Sequence, residues 1–119
     1  MIGIDLIALP RMKRFMDRFG QKGLVRFLDE SEIALVKNHR TAAGFWAAKE
    51  ACSKALGCGI GRECGFHDMR IAKTPKGAPY ITLSNTVQNA FSITEIAISI
   101  THDGEYAIAV VTLQQGKKL

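Results

Sequence analysis

The sequence predicts an α+β fold, and three observations predict it. Helical periodicity crowds the first half of the 119 residues, and short alternating apolar runs joined by Gly- and Pro-bearing turns fill the second. One further strand, MIGIDLI, opens the chain. Helices gathered at one end and hairpins at the other favour a mostly antiparallel sheet with helices packed on it.

In MIGIDLI, Ile2, Ile4 and Leu6 alternate with Gly3, Asp5 and Ile7, the period of two that a strand gives. Pro10 suits the first turn of a helix, where its missing N–H costs nothing, and helical periodicity runs to about residue 20. On that helix Met12, Phe15, Met16 and Phe19 fall mainly inward, while Arg11, Arg14 and Arg18 share an outer face. Asp29 and Glu32 have capping-box spacing and predict a second helix over EIALVKNH, in which simple capping is the plain role for both. A third helix is expected over about residues 41–56, followed by the glycine-rich loop GCGIGRECG. DMRIAKTPKGAPYITL reads as a hairpin turning at Pro75, Lys76 and Gly77, and TVQNAFS as a short helix. EIAISITHDGEYAIAVVTL reads as two strands about an Asp103–Gly104 turn, and QGKKL as a polar tail.

A chain of 119 residues is expected to form one domain, residues 1–119, around a single modest core. Its 47% apolar and 23% charged residues are those of a globular protein and exclude disorder. No apolar run approaches the roughly 20 residues of a membrane-spanning helix. Met1 leads straight into a strand without a basic leader or cleavage pattern, so the expected location is cytoplasmic. Cys52, Cys58 and Cys64 form no CxxC pair and read as three reduced thiols. The formal charge of +5 and pI near 9.3 favour an anionic partner. Nucleic acid, a phosphorylated small molecule and an acidic protein all satisfy that.

The chemistry concentrates in FWAAKEACSKALG, residues 45–57. On a helical wheel Phe45, Ala48, Cys52, Ala55 and Leu56 face the core, while Trp46, Lys49, Glu50, Ser53 and Lys54 fill a second arc. Glu50 and Lys54 have the i, i+4 spacing of a surface ion pair, so the arc is either a solvated face or a site. Trp46 within it, and Gly57, Gly59, Gly61 and Gly65 after it, tilt the choice toward a site. The loop follows its helix rather than preceding it, and GxxxxGK[ST] is absent, which excludes P-loop and dinucleotide-fold readings. Phosphate bound here needs lysine side chains and loop amides. Asp5 is a lone carboxylate in an apolar strand, either a local cap or a ligand. His102, at the end of AISIT, is either structural or functional.

Together Gly3-Ile4-Asp5-Leu6, Trp46-Ala47-Ala48-Lys49-Glu50-Ala51 with Lys54-Ala55-Leu56-Gly57, and Ser99-Ile100-Thr101-His102 with Tyr106-Ala107 resemble the holo-acyl carrier protein synthase group of 4′-phosphopantetheinyl transferases. The likeness runs the length of the chain. It implies transfer of the phosphopantetheine arm of coenzyme A to a serine of apo-acyl carrier protein, releasing adenosine 3′,5′-bisphosphate, in fatty acid biosynthesis. It implies Mg²⁺ on Asp5 and Glu50, whose hard oxygens suit that ion. Glu50 would take the serine proton directly or through water, and Lys54 would stabilise the leaving phosphate. Lys49, Lys54 and His102 would hold the coenzyme A phosphates, with Gly57 and Gly59 in a loop along the arm or pyrophosphate. Arg11, Arg14 and Arg18 would bind the acidic carrier protein. The group assembles as homotrimers with sites between subunits, Asp5 and His102 then coming from one chain and Glu50 and Lys54 from its neighbour. Family members usually carry an arginine where this chain has Phe45, so one expected phosphate contact is either missing or supplied by Arg40 or Arg62.

Two rivals share part of this pattern. A basic RNA-binding module fits the charge, but the basic residues are scattered and no RNP1-like aromatic platform is present. A catalytically silent coenzyme A-binding domain would share the fold, but it has no need of Asp5, Glu50 and Lys54 together.

Overall fold

The computed structural model describes residues 1–116, so Lys117, Lys118 and Leu119 of the expected polar tail lie outside the described residues. Among the described residues five strands form two antiparallel sheets: β1 (Ile2–Ala8), β5 (Tyr106–Gln115) and β4 (Ile93–Asp103) in that order, and β2 (Met69–Lys73) paired with β3 (Pro79–Leu83). The α+β class and the mainly antiparallel pairing are those the sequence predicts. Helix α1 (Leu9–Phe19) starts directly after β1 with Pro10 in its first turn, and α4 (His39–Ala55) is the long central helix. A 3₁₀ turn (Phe66–Asp68) leads into β2. A short helix (Asn85–Phe91) covers the expected TVQNAFS segment and follows β3.

Helix α4 lies across β1 and β5, and its inner face is built from small residues. Ala47, Ala48 and Ala51 are fully buried and Ala55 nearly so, which lets the helix backbone approach the sheet closely. Phe45, Cys52 and Leu56 complete the inner face as the wheel predicts. On β1 it is the Gly3, Asp5, Ile7 side that meets α4; Ile2, Ile4 and Leu6 point away, 69%, 62% and 55% exposed. Beside them Ile108 and Val110 of β5 are only half-buried, so this sheet face is apolar and open.

Between α1 and α4 the chain departs from expectation. A four-residue helix, α2 (Gln21–Leu24), has no predicted counterpart, being too short to show a period. The predicted helix over EIALVKNH shrinks to α3 (Glu30–Ile33). The Asp29–Glu32 capping box does start it, with the Asp29 N–H donating to Glu32 at 2.9 Å and the Glu32 N–H to Asp29 at 3.0 Å. The chain then turns at Ala34 and Leu35, and Asn38 accepts the Arg40 N–H at 2.9 Å to begin α4 at residue 39 instead of about 41. One strong cap thus ends the helix that the other began.

Asp29 also accepts from the Ser31 hydroxyl and from Arg70 Nε at 2.8 Å. Burial alone would raise its pKa, but these donors and the Glu32 N–H outweigh it and hold the carboxyl at about 2, below its usual 3.8. A folded-state value below the unfolded one stabilises the protein above about pH 4 and is lost as pH falls toward 2. Urea unfolding measured at a series of pH values should therefore show Asp29→Asn flattening the loss of stability between about pH 4 and 2. An unchanged profile would mean the Asp29 cap carries no linkage.

Candidate active site

Two residues past Gly3 on the same strand face, Asp5 meets the end of α4. Lys54 donates to the Asp5 carboxylate at 2.8 Å and to the Ile4 carbonyl at 3.3 Å. Asp5 is 15% exposed while Lys54 is half-exposed, so the ammonium keeps a free N–H toward solvent. The hydrogen bond it donates to Asp5 raises the Lys54 pKa and keeps it charged. Lys54 therefore pairs with Asp5 and not with Glu50, its expected i, i+4 partner. The Glu50 carboxylate makes no ion pair and accepts no hydrogen bond among the described residues; only its backbone carbonyl is engaged, by the Ser53 hydroxyl at 2.8 Å. Burial first, and the negative charge of Asp5 second, raise its pKa; Lys54 and Arg11 pull it back.

These three groups belong to one chain, which corrects the expected division of Asp5 from Glu50 and Lys54 between subunits. Gly3 makes the meeting possible. A Cβ there would run into the Ala51 carbonyl oxygen and lie 2.6 Å from the Ala55 nitrogen, so any side chain pushes β1 off α4. In the sequence Gly3 stands out only as part of the Gly3-Ile4-Asp5-Leu6 stretch, and the signal of close approach is a glycine two places before a lone carboxylate.

Lys49 is not on the outer arc where the wheel put it. It is fully buried, donating to the Phe27 carbonyl at 2.7 Å, Glu32 at 2.8 Å and the Phe66 carbonyl at 3.1 Å. Burial lowers its pKa and Glu32 opposes that shift. All three ammonium hydrogens are used, leaving none for a phosphate. Ser53, assigned to the same arc, is buried too. Trp46 is half-buried against Phe66 and Phe27, with ring centroids 4.8 and 5.0 Å away. Its remaining face joins Ile7, Met12, Phe15 and Arg11 around a small apolar cleft of about 140 Å³. Arg11 thus stands beside Glu50, whereas Arg14 and Arg18 lie exposed farther along α1.

The glycine loop closes the end of α4. Gly57 (φ 84°) donates its N–H to the Lys54 carbonyl at 3.0 Å, and Gly59 (φ 68°) donates to the Ser53 carbonyl at 3.1 Å. Positive φ at both explains the residue type. Their amides cap the helix and are not available to a phosphate, another departure from expectation, while the space where side chains would stand is open.

His102 lies elsewhere, against the first turns of α4. It donates Nε2–H to the Arg40 carbonyl at 2.9 Å, leaving Nδ1 for a ligand. With Thr41, Phe45, Lys73 and Pro79 it lines a cleft of about 210 Å³. Gly44, which touches His102, is six helical steps before Glu50, about 9 Å along the axis. Within one chain His102 is remote from the carboxylates. Lys73 gave no sequence signal beyond its place at the end of a strand.

No group of three or more His, Cys, Asp or Glu side chains clusters as a metal site among the described residues. Two carboxylates, one of them unpaired, nevertheless suit an ion that keeps most of its waters, as Mg²⁺ does.

The family model of the 4′-phosphopantetheinyl transferase superfamily matches residues 1–111. A holo-(acyl-carrier-protein) synthase from Sulfurimonas denitrificans is 62% identical over 96% of this chain and 94% of its own. One from Wolinella succinogenes is 56% identical over 97% and 98%. The crystal structure of Helicobacter pylori holo-(acyl-carrier-protein) synthase in complex with coenzyme A superposes with a TM-score of 0.93 at 49% identity, covering 96% of this chain and all of that one.

Substituting Gly3→Ala tests the local geometry. It should cost about 1–3 kcal/mol in urea unfolding, the range for overpacking a filled core. Unchanged stability would mean that β1 moves off α4 freely.

Proposed function

Because the chain belongs to the 4′-phosphopantetheinyl transferase superfamily, we propose that it is a holo-acyl-carrier-protein synthase. In this reading residues 1–119 form one catalytic domain that moves the 4′-phosphopantetheine arm of coenzyme A onto a serine of apo-acyl carrier protein. The observation that carries the proposal is the unpaired Glu50 carboxylate beside Asp5 and Lys54.

Asp5 and Glu50 would hold Mg²⁺, which when bound supplies charge neutralisation for the pyrophosphate. Lys54, anchored by Asp5 and the Ile4 carbonyl, points its free N–H at the phosphate that leaves with the nucleotide. Glu50 takes the serine proton, directly or through a water, its raised pKa matching that task. The serine oxygen then bonds to the phosphorus of the pantetheine phosphate, and the bond to adenosine 3′,5′-bisphosphate breaks. Positioning and charge stabilisation account for most of such catalysis.

The nucleotide end of coenzyme A is assigned to the His102 cleft, with Lys73 supplying the positive charge that Lys49 does not. Because that cleft is remote from Glu50 in one chain, a complete site takes its His102 from a neighbouring subunit. The apolar face of Ile2, Ile4 and Leu6 supports such an assembly, and a homotrimer is proposed from it. Gly57 and Gly59 present bare backbone to the pantetheine arm. Arg11, Arg14 and Arg18 form the docking face for the acidic carrier protein, Arg11 nearest the chemistry. No helix among the described residues is long and apolar enough to cross a membrane. The proposed setting is cytoplasmic fatty acid biosynthesis.

Intact-mass spectrometry of apo-acyl carrier protein incubated with this protein, coenzyme A and Mg²⁺ tests the reading. One phosphopantetheine unit should be added, with none in EDTA and at least ~100-fold slower transfer by Glu50→Gln. Coenzyme A binding without any transfer would make the protein a silent binding domain.

A further inference from the structure

We infer that Lys49 is a positioning residue for the carboxylate next to it, an inference that rests on the reading proposed above. Its ammonium is tied to the Phe27 carbonyl, to Glu32 and to the Phe66 carbonyl. Glu32 in turn accepts the N–H groups of Asp29 and Ile71, each at 2.9 Å. One α4 side chain thus fixes the segment after α2, the start of α3, the 3₁₀ turn and β2 against the helix. Lys49, Glu32 and Phe27 are fully buried, so water does not readily replace the bond between the two charged groups if one is lost.

Successive helical residues are about 100° apart, so the rotation that Lys49 imposes on α4 decides where Glu50 points. The three bonds to Lys49 hold that rotation, and Glu50 lies within reach of the charge of Asp5. A second link runs through the aromatic rings. Phe27 and Phe66, whose carbonyls take the ammonium, pack their rings on Trp46, a wall of the cleft beside Arg11. Phe66 is also the first residue past the glycine loop, whose other end is the C-terminus of α4. Lys49 therefore ties the far end of that loop back to the helix from which the loop starts.

Stability alone does not account for a charge here. Apolar packing of equal volume commonly stabilises a core as well as a buried ion pair does. What the pair adds is a single orientation.

Lys49→Met removes the charge at similar length, and Glu32→Gln keeps the shape while weakening the pair. Each variant that retains the wild-type far-UV spectrum is studied well below its melting temperature, by Mn²⁺ titration followed by paramagnetic resonance and by transfer kinetics. Lys49 does not touch the carboxylates but sets the helix that carries Glu50, so its loss should lower Mn²⁺ affinity and kcat each by about 10-fold, the low end of what groups bonded directly to metal ligands contribute. KM for coenzyme A should stay within about twofold, the signature of lost orientation rather than lost contact. Unchanged Mn²⁺ affinity and kcat in a folded variant would overturn the inference, as would a rise in KM alone. Failure of both variants to fold assigns Lys49 to stability and overturns it too. Absence of transfer by the wild-type protein is seen first and sinks the proposed function itself.

Discussion

The site depends on one steric fact: β1 lies closer to α4 than any side chain at residue 3 allows. Gly3 supplies the missing volume, and the alanines of the helix supply the rest. Only at that distance does Lys54, on the last turn of α4, reach Asp5 two residues along the strand. Glycine in a strand weakens it by loss of packing and by entropy, and the close helix–strand contact is what offsets that. Packing and function are thus set by the same atoms.

Adjacent residues of α4 then serve opposite ends. Lys49 turns inward and is satisfied by three acceptors, while Glu50 turns outward and is satisfied by none. The first holds the helix in one orientation. The second is a carboxyl whose pKa is raised by burial and by the charge of Asp5. Lys54 sits between these tendencies, anchored to Asp5 yet half-exposed, which suits a group that contacts a charged substrate without being mobile.

Much of this was legible in the sequence. Period-two alternation placed β1 and the C-terminal hairpin, and the inner face of α4 followed from its wheel because Phe45, Cys52 and Leu56 are apolar and the helix is long. Asp5, Glu50 and Lys54 were legible as chemistry. Their assembly in one chain was not, since it depends on the approach of β1 to α4 rather than on spacing. Lys49 was misplaced because a wheel assigns lysine outward, and only the tertiary partners Glu32, Phe27 and Phe66 make its burial tolerable. The helix predicted over EIALVKNH failed because Asn38 offered the chain a competing cap. The Gly57 and Gly59 amides were expected at a ligand, but the open carbonyls at the end of α4 take them first.

The central claim is that Asp5 and Glu50 of the same chain form one site. It is tested most directly by mixing inactive chains: Asp5→Asn and Glu50→Gln proteins are co-assembled and assayed for transfer to apo-acyl carrier protein. Every chain in such a mixture lacks one of its two carboxylates, so the mixture should remain as inactive as either variant alone. Recovery of transfer would mean that the two carboxylates meet across a subunit boundary, and would contradict the account.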